Sequence, residues 1–113
     1  MRSVSLVPSL SELILALDAG EHLVARTDFD THEALATLPS IGGGLDPNLE
    51  LMVDLGIGVV FMPPGRDAPA LAKRLTDLGI SVQTIPTNSV SDLYRAITRL
   101  GEFFDFPSEA DSL

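Results

Sequence analysis

Three short stretches of the sequence carry residues that could bind a ligand. Residues 28–33 (DFDTHE) contain two aspartates, a histidine and a glutamate, residues 42–44 are a glycine triplet, and Arg66 stands in the stretch PPGRDA. Oxygen and nitrogen ligands such as those of residues 28–33 could hold a divalent metal. A glycine triplet could cradle a phosphate, form a tight turn or let a large ligand approach the backbone. Arg66 could bind an anionic group of a ligand, or it could pair with Asp67 or another neighbouring carboxylate.

Metal, nucleotide and catalytic sites all lack their usual sequence patterns. Residues 28–33 follow no known ligand spacing, so we predict no metal site there. A dinucleotide site needs G-x-G-x-x-G directly after the first strand, and a P-loop ends in Gly-Lys-Ser/Thr; the sequence has neither. No serine lies in a G-x-S-x-G turn, and neither histidine has a nucleophile beside it. We therefore predict no catalytic residue and no enzymatic activity.

Composition limits the partners that the chain can have. Its 113 residues are 45% hydrophobic, which is typical of one globular domain. Sixteen acidic residues against seven basic ones give a net charge of −9, so we expect no binding to nucleic acid. The absence of cysteine excludes disulfides and thiolate metal sites. The stretch MRSVSLVPSL has no signal-peptide pattern, which leaves a cytoplasmic location open.

Apolar periodicity predicts an α/β fold with about four parallel strands. Strands are expected at residues 3–7, 23–27, 57–62 and 80–85. The first helix should begin at Ser9, with a capping box to Glu12, and end at Gly20. The second should run from Asp46-Pro47 to about Leu55, and the third over 68–78 with Leu78 inward. The fourth should begin at Ser89. Such alternation gives a single Rossmann-like lobe, with helices on both faces of the sheet.

In a parallel sheet, ligands bind beyond the carboxyl ends of the strands. Four segments should meet at that edge: Pro8-Ser9, residues 28–32, the glycines before Asp46, and residues 63–67. These segments are the predicted binding rim.

Five stretches occur in one order and resemble a known family. They are SVSLVPSLSELILALDAG, LVARTDFD, LPSIGGGLDPNLELM, LAKRLTDLGISVQTI and SVSDLYRAITRLGEF. The chain resembles the N-terminal lobe of the substrate-binding proteins of ABC importers for cobalamin (vitamin B12), haem and iron-siderophores, and most of all the cobalamin type. The resemblance implies two lobes joined by a long helix, with the ligand in the cleft between them. Residues 1–106 would then be the N-terminal lobe, and 107–113 the start of the connecting helix.

The resemblance also assigns roles to individual residues. Glu50 of the P-N-L-E motif would dock on arginines of the membrane permease. The ligand would be cobalamin or another metal chelate, without a resident cofactor, and the location would be periplasmic or otherwise extracytoplasmic. Phe29 stands where the family usually has tyrosine. The expected ligand-contacting positions are Pro8, Ser9, Asp28, Phe29, Gly43, Gly44, Leu45, Pro64, Gly65 and Arg66.

One lobe offers half a cleft, so the site should be completed by a second lobe of a longer chain or by a homodimer partner. Two other functions stay open on sequence grounds. One is a cytoplasmic flavodoxin-like domain that binds a nucleotide or acts as a regulator. The other is an interaction module that has kept the fold and lost the ligand.

Overall fold

A computed structural model describes residues 2–43 and 47–104 of the chain. Three parallel strands form its sheet: β1 (Ser3–Ser5), β2 (Val59–Met62) and β3 (Ser81–Thr84), in the order β1-β2-β3. Four helices alternate with them: α1 (Pro8–Ala16), α2 (Leu49–Asp54), α3 (Ala68–Asp77) and α4 (Val90–Phe103). This alternation confirms the predicted α/β class. In the described part of the chain, no helix is long and apolar enough to cross a membrane.

Two apolar cores lie on opposite faces of the sheet. Alternate residues of β2 supply both cores, because successive side chains of a strand point to opposite faces. Val59 and Phe61 pack with residues of α1 and α4, whereas Val60 and Met62 pack with residues of α2 and α3. The fully apolar β2 sequence VVFM is therefore buried on both sides, and the predicted placement of helices on both faces is confirmed.

The predicted strand over 23–27 is reduced to isolated bridges. The Val24 N–H donates to the Ser3 carbonyl at 3.0 Å beside β1, but the Arg26 N–H donates to the Pro39 carbonyl at 3.0 Å. The segment thus changes partners after one bond to β1, so no continuous ladder forms. The sheet consequently has three strands and not four in the described part of the chain.

Helix α1 begins and ends differently from the prediction. Its N-cap is Val7 without a side-chain bond, and Pro8 stands in the first turn, where a missing N–H is tolerated. Ser9 is therefore inside the helix, and the predicted capping box with Glu12 is wrong. Asp18 takes the left-handed position after the helix with φ of 60°, a conformation common just beyond a helix end. Gly20 instead opens a short 3₁₀ turn (Gly20–His22).

Helix α2 begins two residues later than Pro47. Asn48 is its N-cap, and the Asn48 carboxamide oxygen accepts from the Leu51 N–H at 3.0 Å. Asp46, the predicted cap, lies outside the described residues. Near the end of α3, Leu78 is exposed and not inward, because the helix stops at Asp77 and Gly79 turns the chain with φ of 83°. Ser89, by contrast, caps α4 as predicted, accepting from the Asp92 N–H at 3.0 Å.

Candidate functional site

An apolar cavity of about 310 Å³ opens at the carboxyl edge of the sheet. Leu6 follows β1 and Met62 ends β2, and both side chains line the cavity with Leu71 of α3. The connection from β2 to α3, residues 63–67, forms a second wall. The strand ends thus open onto this cavity, which is the usual place for a ligand in a parallel sheet.

Phe29 stands at the mouth of this cavity with an exposed side chain. Its relative exposure is 64%, although aromatic rings are usually covered in folded proteins. A Cβ atom placed on Gly43 would lie 3.6 Å from Phe29 Cε2, so the glycine backbone runs close beside the ring. The exposed part of the ring is therefore available to whatever enters the cavity.

Arg66 is the positively charged residue of the cavity wall. The guanidinium is exposed, and it forms no ion pair or hydrogen bond with any residue in 2–43 or 47–104, Asp67 included. Of the two sequence interpretations, pairing with Asp67 is thus not observed. An unpaired guanidinium next to an apolar wall is suited to bind a carboxylate in two-point geometry.

The structure brings five of the predicted contact positions together and separates others. Pro8, Phe29, Pro64, Gly65 and Arg66 all line the cavity. Gly43 lies beside the Phe29 ring but not in the cavity lining. The remaining two residues of that stretch, Gly44 and Leu45, lie outside the described residues.

Ser9 and Asp28 do not line the cavity, because each is engaged elsewhere. The Ser9 hydroxyl lies 3.1 Å from that of Thr87, and the Asp28 carboxylate accepts a hydrogen bond from the Ser40 hydroxyl. Sequence reasoning missed the apolar wall made by Leu6, Met62 and Leu71. The available signal was that Leu6 and Met62 stand at predicted strand ends.

A closed turn over residues 27–30 carries Phe29. Asp30 Oδ2 accepts from the Thr27 N–H at 2.8 Å and from the Thr27 hydroxyl at 3.1 Å. Asp30 and Thr27 are buried, with relative exposures of 7% and 0%. No group of three or more potential ligands for a metal exists among the described residues, so residues 28–33 are not gathered into a metal site.

Glu50 lies apart from the cavity, on the exposed side of α2. Val53 and Asp54 are exposed on the same short helix, whereas Met52 is fully buried and Leu51 is partly buried against the core. Val53 therefore points outward, and Leu51 packs inward against the core. The reason is that α2 begins at Leu49 and presents its Leu51–Met52 side to the sheet.

Comparison with known proteins gives a related sequence and many related folds. No family model matches the chain. An uncharacterized ABC transporter substrate-binding lipoprotein of Bacillus subtilis (strain 168), YvrC, is 32% identical over 116 residues, covering 97% of this chain and 36% of the relative. The chain thus spans about a third of the length of this curated relative.

Solved structures share the fold. A periplasmic haem-binding protein from Pseudomonas aeruginosa superposes with a TM-score of 0.88 at 28% identity, over 98% of this chain and 40% of that one. A periplasmic vitamin B12-binding protein of Vibrio cholerae, BtuF, superposes with a TM-score of 0.84 at 21% identity, over 98% of this chain and 44% of that one. The second likeness is one of fold alone.

Proposed function

We propose that this chain is one lobe of a substrate-binding protein of an ABC importer, and that the cavity is its half of the ligand cleft. The observation that carries this proposal is an apolar cavity at the strand ends, with an exposed Phe29 and an unpaired Arg66 at its edge. The 32% identity to a substrate-binding lipoprotein supports it. Residues 1–106 would form the lobe, and the location would be outside the cytoplasm.

The chemistry of the wall favours a flat, largely apolar ligand with an anionic edge. Apolar side chains and the Phe29 ring would cover the flat face of such a ligand by burial and stacking. Arg66 would bind a carboxylate at its edge. A metal chelate of the haem type has both features, so we place it first. Cobalamin, whose side chains are mostly amides, is the second candidate and rests on the sequence resemblance.

This lobe would hold the chelate without ligating its metal. The described residues of the lining include no histidine, tyrosine or cysteine, and Met62 is only 3% exposed. Binding would therefore rest on apolar burial and charge, and an axial ligand would come from the other half of the cleft.

A nucleotide site has little support at this edge. The two helices that begin beside the cavity, α1 and α3, each have a proline in the first turn, which leaves one fewer N–H group there to bind a phosphate. Asp67, the N-cap of α3, adds a negative charge at the same place.

The ligand is tested by absorbance titration of the chain with haemin and, separately, with cyanocobalamin. Arg66→Gln should weaken haemin binding by up to about fivefold, as expected for an exposed ion pair, and leave cyanocobalamin unchanged. Arg74→Gln is the matched control, since Arg74 is exposed on α3 and does not line the cavity. Equal weakening by both variants would show a net-charge effect only, and no uptake of either compound would overturn the proposed ligand class.

We also propose that Glu50 docks this lobe on a basic surface of the permease. Its exposed position on α2, away from the cavity, leaves it accessible while ligand is bound. Glu50→Arg should abolish binding to the permease reconstituted in lipid nanodiscs without changing haemin affinity. Glu102→Arg makes an equal charge change at an exposed position of α4 and should bind the permease normally. Retained binding by Glu50→Arg would refute the docking role.

A further inference from the structure

The buried turn over residues 27–30 links Asp30 to Phe29 through Thr27. The Thr27 hydroxyl donates to Asp30 Oδ2 at 3.1 Å and accepts from the Phe29 N–H at 3.3 Å. The Asp30 N–H donates back to the Thr27 carbonyl at 3.2 Å. The backbone on which Phe29 is carried is thus closed by bonds that converge on Thr27 and Asp30.

The segment before Phe29 is tied to a second part of the chain. The Asp28 N–H donates to the Gly42 carbonyl at 2.9 Å, and the Asp28 carboxylate accepts from the Ser40 hydroxyl. Phe29 therefore has an anchored residue on each side of it, although its own side chain is 64% exposed. The backbone is fixed while the ring stays open to solvent.

Burial of the Asp30 carboxyl is unfavourable for stability, which indicates that this group has a role other than stabilising the fold. Asp30 is 7% exposed, and its Oδ1 atom has no hydrogen-bond partner among the described residues. An apolar or solvated residue would avoid the desolvation of this group. Its bonds to Thr27 are therefore better explained by the geometry that they impose on residues 27–30.

We propose that Asp30 is a positioning residue, which acts through Thr27 to hold the Phe29 ring at the mouth of the cavity in a ligand-ready orientation. The inference rests on the proposed binding function. A ring that is ordered before binding loses less conformational freedom when the ligand arrives, which corresponds to roughly twofold to tenfold in affinity for one side chain. Asp30 would then set affinity without touching the ligand.

The first test reports on ring order and needs no ligand. The sequence contains no tryptophan, so Phe29→Trp introduces a single indole at the mouth of the cavity. In this background, Asp30→Ala should lower the fluorescence anisotropy of the indole. Asp30→Asn should largely preserve the anisotropy, because the amide oxygen still accepts from Thr27. Unchanged anisotropy in Asp30→Ala would overturn the proposal. If Asp30→Ala does not fold, Thr27→Val replaces it, since valine keeps the side-chain shape and removes the hydroxyl. Lower anisotropy in Thr27→Val would support the proposal, and unchanged anisotropy would overturn it.

The second test is a double-mutant cycle on haemin affinity. Asp30→Ala should weaken haemin binding by roughly twofold to tenfold in the Phe29 chain and have no effect in the Phe29→Ala chain, because Asp30 acts through the ring. An equal loss in both chains would show that Asp30 supports the fold only. Absence of haemin binding by the unmodified chain would count against the proposed ligand class. In that case the anisotropy result alone decides the role of Asp30.

Discussion

Gly65 offers a way to block the cavity without disturbing the fold. A Cβ atom added at Gly65 would have no heavy atom of the described residues within 4 Å, and this glycine does not have a positive φ. A larger side chain is therefore free of both clash and backbone strain. Because Gly65 lines the cavity, Gly65→Trp should place an indole in or over it. The stability of this variant should stay within about 0.5 kcal/mol of the original, as is usual for a surface substitution.

The expected loss of affinity follows from the area that the ligand can no longer bury. The cavity of about 310 Å³ is at the lower end of ligand sites, which span roughly 300–1,000 Å³. An indole, which itself covers about 150–250 Å², would compete directly for this space. If the ligand loses contact with about 100 Å² of apolar wall, at about 25 cal/mol per Å² the loss is about 2.5 kcal/mol, or roughly 70-fold in Kd.

The assay is absorbance titration with haemin, accompanied by urea unfolding of each variant. Gly58→Trp is the matched control, since Gly58 is exposed and precedes β2 at the opposite end of the sheet. A Cβ atom added at Gly58 would lie 3.8 Å from its nearest neighbour, the Arg2 carbonyl oxygen. Haemin affinity should be normal in Gly58→Trp. Unchanged affinity in a stably folded Gly65→Trp would refute the assignment of the cavity as the ligand site.

Three further predictions concern stability, each measured by urea unfolding. Phe61→Ala should lower the free energy of unfolding by about 3–5 kcal/mol, because Phe61 is fully buried and its ring lies 5.2 Å from that of Phe103. A loss no larger than that caused by Tyr94→Ala, at an exposed site, would contradict the placement of Phe61 in the core. Gly79→Ala should lower the free energy of unfolding by about 1 kcal/mol, because Gly79 has a positive φ. Gly65→Ala should leave this free energy nearly unchanged, so equal effects of the two substitutions would disprove the backbone argument. Asn48→Ala should cost about 1 kcal/mol through loss of the α2 cap, and recovery by Asn48→Asp but not by Asn48→Leu would distinguish capping from packing.

The sequence and the structure agree where a local pattern determines the element. The all-apolar run ending at Met62 predicts a strand buried on both faces, and Ser89 followed by an amphipathic stretch predicts α4 with its cap. They differ at the start of α1. There the capping signal of Ser9 and Glu12 is real as a pattern, but Pro8 is already suited to the first turn of the helix. Two local signals competed, and spacing alone did not decide between them.

Alternation of apolar strands and amphipathic helices was enough to determine the fold class, the two-sided core and the edge of the sheet where a ligand would bind, because these depend on periods along the chain. Tertiary structure alone decided which residues of the predicted rim line the cavity, as Phe29 and Arg66 do, and which are bonded elsewhere, as Ser9 and Asp28 are. It also decided that Asp30, an ordinary loop acid by sequence, is buried next to the exposed Phe29. The physical reason is that these outcomes depend on hydrogen bonds and packing between segments far apart in the chain, which no local period encodes.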